Sequence, residues 1–234
     1  MKNVVFLTTI FPMKEQFLID FFNSLSRQTY GKFDVVVVND GYDNFYDIKI
    51  KYQNLSIIEL PYSDTTVKNR EYGINYCIDN KYDVLIFGDS DDYFSDNRVE
   101  ESLKYLETFD IVVNDLNLFD KNGMYEEKYI SNRLDHGSEV NLDYIQDKNI
   151  FGLSNTAIKT NILNEVKFDK DLVAVDWYFF KRLLKNGCNS IFTNKAITYY
   201  RQYDSNTIGL QVVKGLHYLW WEQKDQEENE IKAD

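Results

Sequence analysis

Short apolar runs alternate with stretches in which apolar side chains recur every three or four positions, and this rhythm governs the first half of the chain. Val4 to Thr9 predicts a strand, and Met13 to Gln28 a helix with Phe17, Leu18, Phe21, Phe22 and Leu25 on one face. Asp34 to Val38 and Leu55 to Leu60 predict the second and third strands, Val67 to Asn80 a helix, and Val84 to Gly88 a fourth strand. Val99 to Leu106 continues as a helix, with Ser95 or Asp96 placed to cap it, before a strand at Ile111 to Val113. Most positions of these strand segments are apolar, as in buried strands. Alternating with helices, they predict an α/β fold with a mostly parallel sheet covered on both sides.

Beyond residue 116 the rhythm loosens into an α+β order. Lys121-Asn122-Gly123 predicts a hairpin turn, helices are expected at Leu142 to Asp147, Ile162 to Val166 and Trp177 to Lys185, and a strand at Ile191 to Tyr200. With neither a repeat nor a linker, residues 1–209 are expected to form one domain, its halves meeting near residue 115. Residues 210–234 hold an apolar helical segment, Leu210 to Trp221, and a charged tail. That segment is expected to dock on the domain or on a partner subunit.

Composition narrows the function classes. A formal net charge of −12 and a pI near 4.7 argue against nucleic-acid binding, which needs clustered Lys and Arg. His136 and His217 are the only histidines, too few for a zinc site or a histidine triad. Cys77 and Cys188 lack metal-ligand spacing and read as reduced packing residues of a cytoplasmic protein. The first apolar run is too short for a signal peptide, and no run reaches the ~20 residues of a membrane span.

The chemistry concentrates in Gly88-Asp89-Ser90-Asp91-Asp92 at the end of the fourth strand. An extended Asp-x-Asp presents its two outer carboxylates on one side of the backbone. Carboxylates so close repel one another, and a divalent cation with a phosphate-bearing ligand is their natural complement. The plain alternative is a turn or helix cap. The fourth strand is not alone: Thr8 and Thr9 end the first strand, and Asn39-Asp40-Gly41 ends the second. In an open parallel sheet ligands bind at these carboxyl ends. Asp40 is there either as a turn residue or as an acceptor for a base or ribose. Arg70, near the start of the Val67 helix, is either a solvated surface cation or an anchor for a diphosphate.

In order, these pieces resemble the family 2 nucleotide-sugar glycosyltransferases of the GT-A fold, over roughly residues 1–205. The matching segments are Asn39-Asp40-Gly41, Asn69-Arg70-Glu71-Tyr72-Gly73, Asp89-Ser90-Asp91-Asp92, Val175-Asp176 before a helix, and Tyr200-Arg201 with Asn206. Asn39, Glu71 and Val175 depart from the family's usual Asp, Asn and Glu. The Gln-x-x-Arg-Trp element of processive members is absent from the sequence.

The resemblance implies metal-dependent, inverting transfer of one sugar at a time from a nucleotide-diphosphate donor, with UDP-sugar favoured, to a glycan or lipid-linked acceptor. Thr8, Thr9, Asp40, Arg70, Asp89, Ser90 and Arg201 would bind the donor, Asp91 with Asp89 would hold Mn²⁺ or Mg²⁺, and Asp176 would be the general base. Asp176 as a helix cap is the structural alternative. A lipid-linked acceptor would bring the enzyme to the inner face of a membrane. Two rivals are a haloacid-dehalogenase-type phosphatase, with Asp89 as nucleophile, and a GT-A-like binding module without catalysis.

Overall fold

A computed structural model of the chain describes residues 2–146, 148–172 and 174–203. The fold set out here is that of the compact unit Met1–Arg201. The segment Leu210 to Trp221, with Asn206 and His217, lies outside the described residues.

The first half follows the apolar rhythm: β1 (Val4–Ile10), α1 (Glu15–Ser26), β2 (Asp34–Asn39), α2 (Phe45–Lys49), β3 (Ser56–Pro61), α3 (Thr66–Asp79), β4 (Val84–Phe87), β5 (Tyr93–Phe94) and α4 (Arg98–Tyr105). The second half supplies β6 (Ile111–Asp120), β7 (Gly123–Glu126), β8 (Thr156–Lys159), α5 (Val175–Lys185) and β9 (Ser190–Arg201). Strand order is β3-β2-β1-β4-β8-β6-β9-β5, with β7 paired to β6. The first four positions are parallel, and β8 then enters antiparallel to both β4 and β6. The sheet is therefore mixed in its second half, where the loosened sequence rhythm lies. Because β2 and β4 flank β1 on opposite sides, the chain reverses direction of growth at β1. The carboxyl ends of β1 and β4 border the resulting crevice.

The two faces of β1 serve different helices. Phe6 packs edge-on to Phe21 of α1, their ring centroids 5.9 Å apart, whereas Leu7 lies under Gly73 of α3. A methyl group on Gly73 would come within 2.9 Å of both Leu7 and Val38, so glycine lets α3 settle close over β1 and β2. Gly88, just past β4, is more confined: a Cβ there would fall 2.3 Å from the Phe6 ring. That confinement seats the acidic segment tightly against the aromatic core.

Several expected elements take other forms. The strand at Ile111 runs on to Asp120, and its hairpin with β7 turns at Asp120 and Gly123, where Lys121-Asn122-Gly123 predicts it. Residues 142–145 are turns, not a helix. The expected helix at Ile162 to Val166 is replaced by a single 3-10 turn, Thr160–Ile162. Beyond it, polar side chains of α3 compete for the backbone: Asn75 both donates to the Val166 carbonyl and accepts its N–H, at 2.8 Å each. The N-cap of α4 is Asn97 rather than Ser95 or Asp96, since the Asn97 carbonyl accepts the first i+4 bond of the helix, from the Glu101 N–H at 3.0 Å. Cys77 and Cys188 are free thiols, one in α3 and the other after α5. Among the described residues no helix is long and apolar enough to cross a membrane.

Candidate active site

The acidic segment is a turn and not the extended strand end that the sequence suggested. β4 stops at Phe87, and the Asp92 N–H returns to the Asp89 carbonyl at 3.1 Å. Ser90, expected to meet the donor, is buried, and its hydroxyl donates to the Thr9 carbonyl at 2.7 Å. It therefore ties the turn to the end of β1. Asp92 is buried as well, with its carboxylate accepting from the Ser154 hydroxyl and from the Arg201 N–H. Burial and the neighbouring Asp91 and Asp89 hold its pKa well above the usual carboxylate range. Asp89 and Asp91 stay half-buried at the surface of the turn.

On one side of this turn stands α3. Arg70 Nη2 lies 3.5 Å from Asp89 Oδ1, and one residue earlier Asn69 donates to Asp40 Oδ2 at 2.8 Å. Asn69 is fully buried and also accepts the Asp64 N–H, so it fixes Asp40 relative to the loop that leads into α3. The other oxygen of Asp40 accepts from Ser63. Adjacent residues of one helical turn thus join the rim of β2 to the rim of β4. Thr8, Thr9, Arg70 and Asp89 line a recess beside them, floored by Phe87 and Leu153. The Thr8 hydroxyl is buried there without a hydrogen-bond partner.

On the other side stand α5 and β9. Asp176 lies in the first turn of α5 and accepts the Trp177 N–H at 2.8 Å, while Ala174 occupies the N-cap position. Burial raises the Asp176 pKa; Arg70 lowers it and Asp89 raises it, which ties Asp176 to the same charge cluster. Tyr200 of β9 completes the ring. Its hydroxyl is pushed well up by burial and then by Asp92, Asp89, Asp91 and Asp176, four carboxylates drawn from two separate segments.

Arg201, expected at the donor, is committed to the back of the turn. Its Nε donates to the Asp91 carbonyl and its Nη2 to Asp20 of α1, both at 2.7 Å. The three family departures also have structural roles. Asn39 bonds the Tyr42 backbone and Glu59, pinning the turn that carries Asp40. Glu71 accepts the Phe168 N–H and pairs with Lys68, which donates to the Phe168 carbonyl. Val175 is a core residue. Trp177, Phe179 and Phe180 are buried in the core as well.

Sequence reasoning did not single out Asn69, Ser154, Asp20 or Tyr200 as site residues, although Asn69 and Tyr200 sit inside the quoted motifs. Nothing local marks Ser154 or Asp20. A divalent ion suits the oxygen donors of Asp89 and Asp91. Among the described residues no group of three or more His, Cys, Asp or Glu is placed to hold a metal ion by itself.

An acidic turn and a helix-borne cation at the switch point of a mixed α/β sheet are the arrangement of the GT-A fold. The chain belongs to glycosyltransferase family 2: residues 9–173 match the family described as Glycosyl transferase family 2. That span contains Asp40, Arg70 and the acidic turn and ends before Asp176. The chain is 29% identical over 111 residues to the uncharacterized glycosyltransferase YwdF of Bacillus subtilis (strain 168), covering 45% of this chain and 40% of that protein. Its fold matches S. aureus TarS 1–349 in complex with UDP-GlcNAc with a TM-score of 0.67 at 20% identity, over 88% of this chain and 60% of that one. The S. aureus TarS structure matches with a TM-score of 0.66 at 21% identity, over 88% of this chain and 37% of TarS. The chain thus spans less than two thirds of the length of each of these relatives.

Proposed function

We propose that the enzyme transfers a single sugar from a nucleotide-diphosphate donor, with a UDP-sugar favoured, to a glycan or lipid-linked acceptor, inverting the anomeric centre. The observation that carries this reading is the placing of Arg70 Nη2 3.5 Å from Asp89 Oδ1 in a recess shared with Thr8 and Thr9, with Asn69 of the same helical turn holding Asp40; Arg70 and Asp89 both act on the acidity of Asp176. The TarS complexes with UDP-GlcNAc and UDP support the donor class.

In this reading Asp40 accepts hydrogen bonds from the base or ribose, and Arg70 orients the diphosphate across the mouth of the crevice. Asp91, with Asp89, would hold Mn²⁺ or Mg²⁺, and the ion would supply positive charge to offset that growing on the departing diphosphate. Asp176 takes the proton from the acceptor hydroxyl as that oxygen attacks the anomeric carbon from the face opposite the leaving group. Burial poises the carboxylate for that task by raising its proton affinity. Interactions stronger in the transition state than in the ground state are the ones that accelerate the step. Family membership removes the phosphatase reading, in which Asp89 would be a phosphoryl acceptor.

The test is donor turnover with and without Mn²⁺. Asp91→Asn should abolish metal-dependent release of UDP, and full activity in EDTA would overturn the metal role. A chain that binds UDP-sugar and shows no turnover under any condition would instead be a binding module.

A further inference from the structure

Besides Ser90 and Ser154, the acidic turn is held by Arg201. Arg201 ends β9, and its backbone N–H donates to Asp92 Oδ1 at 2.8 Å while its Nε donates to the Asp91 carbonyl at 2.7 Å. Its guanidinium carbon lies 4.3 Å from the Phe17 ring centroid and 4.6 Å from that of Phe119. From between these rings Nη2 reaches Asp20 Oδ2 at 2.7 Å. The Arg201 side chain is only 14% exposed and that of Asp20 30%. Sandwiching strips water from the guanidinium and strengthens its remaining polar contacts, and a planar fork can serve the carbonyl and the carboxylate at once.

We propose that Arg201 is a positioning residue that fixes the direction of the Asp91 carboxylate, with Asp20 as its anchor on α1. The Asp92 N–H to Asp89 carbonyl bond, Ser90 on the Thr9 carbonyl and Ser154 on Asp92 restrain the turn on either side of Asp91. Arg201 adds the contact at the Asp91 carbonyl itself, so losing it frees the peptide plane next to the side chain that matters. Asp20 lies 181 residues away in sequence, and through Arg201 it couples the first helix to the acidic turn. The role rests on the reading of Asp91 as a metal ligand.

Two variants of the full chain test this. Arg201→Lys keeps the charge and the backbone bond to Asp92 but loses the fork, and Asp20→Asn leaves the turn untouched and removes only the anchor's charge. Mn²⁺ binding in the presence of UDP is titrated by electron paramagnetic resonance, and amide hydrogen exchange is followed in the peptide spanning residues 88–93. Both variants should bind Mn²⁺ about tenfold more weakly, as is usual when support behind a metal ligand is lost. Exchange in that peptide should accelerate while the melting temperature stays near wild type. Unchanged exchange in both variants overturns the proposal, as does faster exchange with unaltered Mn²⁺ affinity. If wild type and Asp91→Asn take up Mn²⁺ equally, the metal role of Asp91 fails and the positioning role falls with it, whereas loss in the Arg201 and Asp20 variants alone cannot be ascribed to a wrong metal assignment.

Discussion

Arg70 and Asp89 meet at 3.5 Å, and the same guanidinium lowers the Asp176 pKa that Asp89 raises. One cation therefore balances a carboxylate of the acidic turn and the carboxylate of α5. The balance has a direction: Arg70 favours the ionised form of Asp176, and Asp89 opposes it.

Arg70→Gln should accordingly raise the Asp176 pKa further. A base works only when deprotonated, so the acid limb of the kcat/KM profile should move to higher pH, with the loss of rate most severe on the acidic side. Donor KM should rise with it, because the diphosphate loses its cation. A profile that keeps its acid limb in place would separate Arg70 from Asp176.

Asp176→Asn should lower turnover by roughly 10²- to 10⁴-fold, the usual contribution of a positioned base, with donor binding kept. Its effect on stability has the opposite sign. Because burial raises the folded-state pKa above the ordinary carboxylate value of about 4, the wild type loses stability as pH rises from the unfolded value through the folded one. The asparagine variant has no such loss. Its melting temperature should match or exceed that of wild type at neutral pH, and the difference should shrink on acidification toward pH ~4. A helix cap would give the reverse, a lower melting temperature with turnover retained. The first-turn position of Asp176, behind an Ala174 N-cap, argues against that outcome.

Asn69→Ala should cost about 1–3 kcal/mol in urea denaturation, since it removes the fully buried amide that holds both the Asp64 N–H and the Asp40 carboxylate. Donor affinity should fall as well, because Asp40 loses one of its two side-chain partners. Asp40→Asn should weaken the donor with a smaller effect on folding. Equal donor affinity in wild type and both variants, measured by calorimetry with UDP, would remove Asp40 from the site.

Much of the site is written in local sequence. Asp40 and the acidic turn follow apolar strands, and Arg70 follows the start of a helix, so hydrophobic period and punctuation locate them to within a residue or two. The same signals mislead at 162–166, where Asn75, Lys68 and Glu71 on a single stripe of α3 claim the backbone of residues 166–168. A side chain 91 residues distant decides that conformation, and no local period reports it. Glu71 illustrates the same point from the other side, being a departure from the family pattern that proves to be a strut.

What the chain's own order of residues determined was the main strands and helices of the first half and the placing of carboxylates at strand ends, because backbone conformation there answers to nearest neighbours and to the period of burial; α2, β5 and β8 and the turns at 142–145 were not legible in it. Only the folded arrangement decided that β8 runs antiparallel between β4 and β6, that the acidic segment closes as a turn, and that Ser154, Tyr200, Arg201 and Asp20 gather around it. Those pairings join groups far apart in the chain, and their energies depend on distance in space, which sequence separation does not encode.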